Sequence, residues 1–172
     1  MCPIGRNPRD EIQAATAVLL GAELWTCRRT SDLVAFQFGE RRAKKTFRGD
    51  LVDVGQYALH IQCAWRIARK DIVVVGSGDL YYPPDSTVQR APADFDWAEG
   101  PNLGDELLLS LFDSDKRQFV VRRVDVGDVG SLHIVMDHDL FLDVLPNETV
   151  NEEYWRLFKP GSEEAHFIFG RE

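Results

Sequence analysis

Two stretches of this chain, about ninety residues apart, carry the same order of strand-like segments. The first runs Leu33–Gly39 (LVAFQFG), Tyr57–Ile61 (YALHI), Trp65-Arg66-Ile67 and Ile72–Gly76 (IVVVG). The second runs Leu132–Met136 (LHIVM), Leu140–Val144 (LFLDV), Trp155-Arg156-Leu157 and His166–Gly170 (HFIFG). Such an echo commits a chain to a repeated architecture before any single motif is weighed. A shorter self-match competes with it: Val52–Gly55 followed by Leu59–Ile61 resembles Val124–Gly127 followed by Leu132–Ile134. That match spans only about ten residues and leaves Trp155-Arg156 without a counterpart, so the longer register is preferred.

The local signals build an α+β fold around this frame. Asn7-Pro8-Arg9-Asp10-Glu11 reads as a helix start, with a capping side chain, a proline at the first helical position and acids at the positive end of the dipole. Ile12, Ala15, Thr16, Leu19 and Leu20 give an apolar stripe and Gly21 a stop, which predicts a helix over 8–20 that covers a sheet. From residue 23 the period changes to two. Strands are expected at Leu24–Arg29, Leu33–Gly39, Tyr57–Ile67, Asp71–Val75, Phe119–Val126, Leu132–Met136, Leu140–Leu145, Tyr154–Phe158 and Ala165–Phe169. Short turns at Ser31-Asp32 and Arg69-Lys70-Asp71 make antiparallel neighbours of the strands they join. Asp105–Phe112 suits a short helix or a strand. The expected organisation is one compact domain over 1–172. It has β unit one at 23–80, a Pro-rich linker at 82–104 pinned by Phe95 and Trp97, and β unit two at 105–172.

A chain of 172 residues with 44% hydrophobic and 28% charged side chains has the composition of a folded globular protein. Its apolar runs are too short to span a bilayer, and MCPIGRNPRD lacks the apolar core of a secretory signal; both point to a cytoplasmic protein without membrane contact. Cys2, Cys27 and Cys63 have no metal-knuckle spacing and read as reduced thiols. The net charge of −8 falls wholly in residues 100–172, which hold 7 bases and 15 acids, whereas residues 1–99 hold 13 of each. A surface for nucleic acid needs concentrated positive charge, so that partner is disfavoured.

The stretch LHIVMDHDLFLDVLPNETVNEEYWRLF sets a strand, a polar turn, an apolar strand, an acidic spacer and then E-x-W-R-L in series. It resembles small bacterial proteins of unknown function, some built from two copies of such a β unit and some of them suspected immunity proteins that neutralise a toxin. The resemblance covers residues 130–172 well and residues 33–78 loosely. It implies a fold more than a function, and it carries over no catalytic residue.

Measured against the second copy, the first carries an insertion. Where Asp137-His138-Asp139 closes one hairpin tightly, the first copy has Glu40–Gln56, with Arg41, Arg42, Lys44, Lys45 and Arg48 and no acid among residues 41–48. A loop lengthened within a repeated scaffold is a common place for function, and five bases suit an acidic protein surface or an anion. They equally suit an edge strand kept from pairing by its charges. The two Trp-Arg pairs, Trp65-Arg66 and Trp155-Arg156, read either as core tryptophans with outward arginines or as an aromatic and guanidinium groove between the units.

The remaining constellations are weaker. His60 and Cys63 face opposite ways on a strand, Asp113-Ser114-Asp115 lacks the later positions of a calcium loop, and Asp94, Asp96 and Glu99 lie in an acidic linker. No nucleophile elbow, P-loop or H-E-x-x-H is present. No cofactor is expected. The sequence thus favours a non-catalytic protein-binding module, of the immunity type by resemblance. The alternatives are a small-ligand binder or hydrolase using a groove between the units, and a self-associating accessory protein.

Overall fold

In a computed structural model, residues 8–84, 92–150 and 153–170 are described. The chain begins with α1, Pro8–Thr16, drawn out by a single 3-10 turn at Ala17–Leu19. The strands that follow are β1 Glu23–Thr30, β2 Leu33–Phe38, β3 Arg42–Lys45, β4 Leu51–Val54, β5 Tyr57–Ile61, β6 Ala64–Arg69 and β7 Ile72–Gly76. After α2, Leu103–Leu109, come β8 Phe119–Val126, β9 Leu132–Met136, β10 Leu140–Leu145, β11 Trp155–Phe158 and β12 Phe167–Phe169. The fold is therefore mainly antiparallel β with two short α-helices among the described residues.

Ten strands form one sheet in the order β12-β11-β5-β2-β1-β8-β9-β10-β6-β7, and β3 and β4 pair only with each other. Every pairing is antiparallel. The turns at Ser31-Asp32 and Lys70-Asp71 do make neighbours of β1 and β2 and of β6 and β7. The single strand expected over Tyr57–Ile67 is instead two. The chain breaks at Gln62 and Cys63, whose N–H groups both donate to the Tyr154 carbonyl, at 2.9 and 3.3 Å. It then crosses over, so that β6 pairs with β10 while β11 pairs with β5. Hydrophobic alternation continues through the break, which is why periodicity alone joined the two strands.

Period-two burial is clear in β8 and β9, and the inward side chains of the main sheet meet in a single core, to which the fully exposed β3 adds nothing. The core holds Leu24, Val34, Phe36, Phe38, Leu59, Ile61, Trp65, Ile67, Phe119, Val121, Ile134, Leu142, Val144 and Trp155, each at most 2% exposed. At about 1.5–3 kcal/mol for each large side chain taken out of water, these residues dominate the stability of the fold. Phe36 on β2 meets Trp65 on β6 edge to face at 5.3 Å, although four strands separate them in the sheet order, so the sheet curls its inner face together.

Helix α1 lies along β8, with Ile12, Thr16 and Leu19 buried and Gln13 Nε2 donating to the Val124 carbonyl. Leu20, expected on the same stripe, is 53% exposed, because the backbone turns extended there (φ −60°, ψ 125°) before Gly21 at φ +80°. The expected cap Asn7 and also Cys2 lie outside the described residues, as does 85–91 of the linker. Helix α2 settles the 105–112 ambiguity. Asn102 Oδ1 accepts from Asp105 N–H at 2.9 Å, and Asp105 Oδ2 accepts from Asn102 N–H at 3.1 Å, a reciprocal cap. Among the described residues no helix is long and apolar enough to cross a membrane.

Candidate functional site

The basic insertion folds as a hairpin of its own. Arg42 pairs with Val54, Ala43 with Asp53, Lys44 with Val52 and Lys45 with Leu51. At the tip, Thr46 N–H donates to Asp50 O, Asp50 N–H to Thr46 Oγ1 and Gly49 N–H to Thr46 O, with Gly49 at φ +89°. All four residues of β3 are exposed, whereas β4 alternates between exposed Leu51 and Asp53 and half-buried Val52 and Val54. Cross-strand partners share a face. Arg42, Lys44, Val52 and Val54 therefore form the face turned toward the body, and Ala43, Lys45, Leu51 and Asp53 the outer one.

The base of the hairpin is fastened. Arg28 Nη2 donates to the Asp53 carbonyl at 2.6 Å, and Gly55 N–H donates to Oε1 of the buried Gln37 at 2.9 Å. A Cβ at Gly55 would stand 2.6 Å from the Phe38 carbonyl oxygen, so this close approach to β2 requires glycine. The tip is free of the body. Phe47 is 95% exposed and Leu51 70%, with Arg48 stacked on the Phe47 ring at 5.4 Å.

The five predicted bases are thus placed unequally. Arg42 is paired with Glu40 at 2.9 Å, and Arg41 lies over the Trp25 ring at 4.5 Å. Lys44, Lys45 and Arg48 carry no ion pair among the described residues. The sequence signal named the bases and missed the two apolar side chains set among them, because an isolated Phe or Leu carries no periodicity.

At the foot of the hairpin, Arg41 and Trp25 line a cleft of about 510 Å³ between the start of β1 and the segment that leads into β8. Its far wall carries Asp113, Asp115, Lys116 and Arg117. Asp115 accepts from Arg117 at 2.6 Å and from Arg69 at 3.0 Å. The Arg117 hydrogen bond above all holds this carboxyl well below the usual carboxylate range, and burial opposes it without winning.

The four Trp-Arg residues do not converge. Trp65 is 2% exposed and Trp155 0%, so neither offers surface to a ligand. Arg66 and Arg156 stand on β6 and β11, toward opposite ends of the sheet order, and none of the four residues lines the cleft at the foot of the hairpin. Arg156 is clamped by both oxygens of Glu153. Arg66 Nε donates to Asp143 Oδ2 at 2.8 Å, and the other oxygen of Asp143 meets His133 Nδ1 at 2.6 Å.

Sequence reasoning passed over Asp143 and His133, which become neighbours only through the pairing of β9, β10 and β6. A carboxylate bound to imidazole is half of a nucleophile-activating set. Here the pair lies on the outer face of the sheet, and no hydroxyl or thiol is hydrogen-bonded to His133 among the described residues, so the row acts as a cross-strand tie. The chain matches no protein-family model, no curated protein and no solved structure.

Proposed function

We propose that this chain is a non-catalytic protein-binding module whose contact element is the β3–β4 hairpin. One observation carries the reading: Phe47 and Leu51 stand 95% and 70% exposed among Lys44, Lys45 and Arg48, on a hairpin that lies outside the main sheet. Apolar anchors ringed by charges have the make-up of interface hot spots, since the anchor supplies burial and the rim supplies orientation and encounter rate. A hairpin needed only to protect an edge would gain nothing from an exposed phenylalanine. The complementary surface is an apolar socket rimmed by carboxylates, on a protein partner. By resemblance that partner is a toxin and the module is of the immunity type.

We also infer that the two β units are copies. The pairing registers support this. Trp65 pairs with Val144 and Trp155 with Ile61, while Arg66 pairs with Asp143 and Arg156 with His60, which are matching positions of the two segments. Exchanging β1, β2, β5, β6 and β7 for β8, β9, β10, β11 and β12 reverses the sheet order and leaves it otherwise the same. β1 and β8 each carry one register shift against the next strand of their own unit, at Leu24/Thr26 and Val121/Arg123. The shorter self-match equates β4, in the separate hairpin, with β8 in the middle of the sheet, and so joins unlike elements. On this reading β3 and β4 are, among the described residues, the strands of the first copy without a counterpart in the second.

The test is affinity capture from the native host with three baits: the intact chain, Phe47→Ser/Leu51→Ser, and Lys44→Ser/Lys45→Ser/Arg48→Ser. A partner held by the intact chain should be lost with the first variant and weakened, in a salt-dependent way, with the second. Equal recovery of the same partner on all three baits overturns the reading.

A further inference from the structure

The 510 Å³ cleft at the foot of the hairpin has the size of a small-molecule site, which typically runs from about 300 to 1,000 Å³. Asp115 is shared between Arg117 and Arg69, so that triplet keeps one positive charge. Lys116 Nζ donates to the Asp113 backbone carbonyl at 3.0 Å, a neutral acceptor. Arg41 has the face of Trp25 and no carboxylate among the described residues. Against these stand the carboxylates of Glu23 and Asp113, so the lining itself balances three bases with three acids, and the surplus positive charge comes from Arg69, which is not in the lining and pairs with Asp115.

The uncharged part of the lining is Leu24, Trp25, Phe112, Gln118 and Phe119, three of them aromatic. The Trp25 indole Nε1 is buried with no acceptor among the described residues. A guanidinium resting on an aromatic face keeps its in-plane N–H donors directed outward, available to an anion.

We propose that this cleft binds a small organic anion that carries a planar ring, with its phosphate or carboxylate held by Arg41, Lys116 and Arg117 and its ring against Trp25 and Phe112. The two remaining carboxylates restrict the ligand to one or two negative charges and disfavour polyphosphates. Lys116 and Arg117 follow a π-helical turn, Ser110–Ser114, that continues α2, and come to Arg41 only through the fold, which is why the site has no sequence motif. The site is independent of Phe47 and Leu51, so it stands or falls apart from the partner-binding reading.

Isothermal titration of the intact chain with adenosine monophosphate, benzoate, inorganic phosphate and adenosine tests this, with tryptophan fluorescence in parallel. Adenosine monophosphate or benzoate should bind, roughly tenfold more tightly than phosphate or adenosine alone, since ring and charge each contribute about 1.4 kcal/mol or more. Lys116→Ser should weaken binding roughly fivefold or more, as expected for loss of a charge-assisted contact. Trp25→Phe should abolish the fluorescence change while the heat remains, and Phe47→Ser should alter neither. The proposal is overturned if no probe binds at millimolar concentration, if phosphate or adenosine alone binds as well as the ring-bearing anions, or if Lys116→Ser binds like the parent.

Discussion

The indole Nε1 of Trp155 donates to the carbonyl of Gly130 at 2.9 Å, tying β11 to the loop between β8 and β9. The indole Nε1 of Trp65 is also buried, yet finds no acceptor among the described residues. Trp→Phe removes the same volume at both sites, so the difference between the two variants isolates one hydrogen bond. Trp155→Phe should cost about 1 kcal/mol more than Trp65→Phe in urea unfolding, the worth of a typical buried bond. Gly130 itself, at φ +75°, allows no replacement, since a Cβ there would stand 2.0 Å from the Phe169 ring. Gly130→Ala should therefore destabilise far more than either tryptophan change.

Phe47, by contrast, is held by almost nothing. Replacing a side chain that is 95% exposed removes no core contact, so Phe47→Ser should leave stability within about 0.5 kcal/mol of the parent. Thermal unfolding of the Phe47→Ser and Lys45→Ser proteins checks this. A drop of several degrees would show that the hairpin serves the fold, and loss of partner binding could then no longer be read as loss of a contact.

Much of the fold can be read from local pattern. β8, β9 and β10 occupy the ranges that two-residue alternation predicts, and the positive φ of His138 and Asp139 suits the tight turn expected there. What resists reading is whatever depends on strands far apart in sequence. The break at Gln62-Cys63 is fixed by the Tyr154 carbonyl, ninety residues later, and Asp143 gains Arg66 and His133 from two different neighbours. The hairpin shows both sides of this. Its bases were conspicuous in sequence, whereas the hand-off of Arg41 to Trp25, and so to the cleft, follows from tertiary placement.

Cys27 and Cys63 test the burial directly. Desolvation pushes both thiols up to about 12, so the thiolate, the reactive form, is nearly absent at neutral pH. In a Cys2→Ser background, both should resist an aromatic disulfide reagent at pH 8 in the native state and react within minutes in denaturant. Rapid labelling of Cys63 in the native protein would contradict its 4% exposure.

Acid should unfold this protein in two stages. His60 is held below its ordinary value of 6.5, first by burial and then by the charge of Arg156. The unfolded chain therefore takes up that proton before the folded one does, and stability declines as pH falls below 6.5. Asp115 and Glu153 are held low first by their hydrogen bonds from Arg117 and Arg156. Asp105 is buried, which would raise it, but the Arg29 and Asn102 hydrogen bonds outweigh that and leave it low. A carboxylate depressed in the folded state contributes stability that is complete above its unfolded range, about 3.9–4.3, and is lost as pH falls through the folded value. The urea midpoint should accordingly slope gently downward below pH 6.5 and steeply below about pH 4. His60→Gln should flatten the upper limb alone. Asp105→Asn should flatten the lower limb while lowering stability at neutral pH, because Arg29 Nε and Nη2 each donate to that carboxylate at 2.7 Å from a side chain only 10% exposed. An acid limb unchanged by Asp105→Asn would show that the Arg29 clamp does not set that proton's affinity.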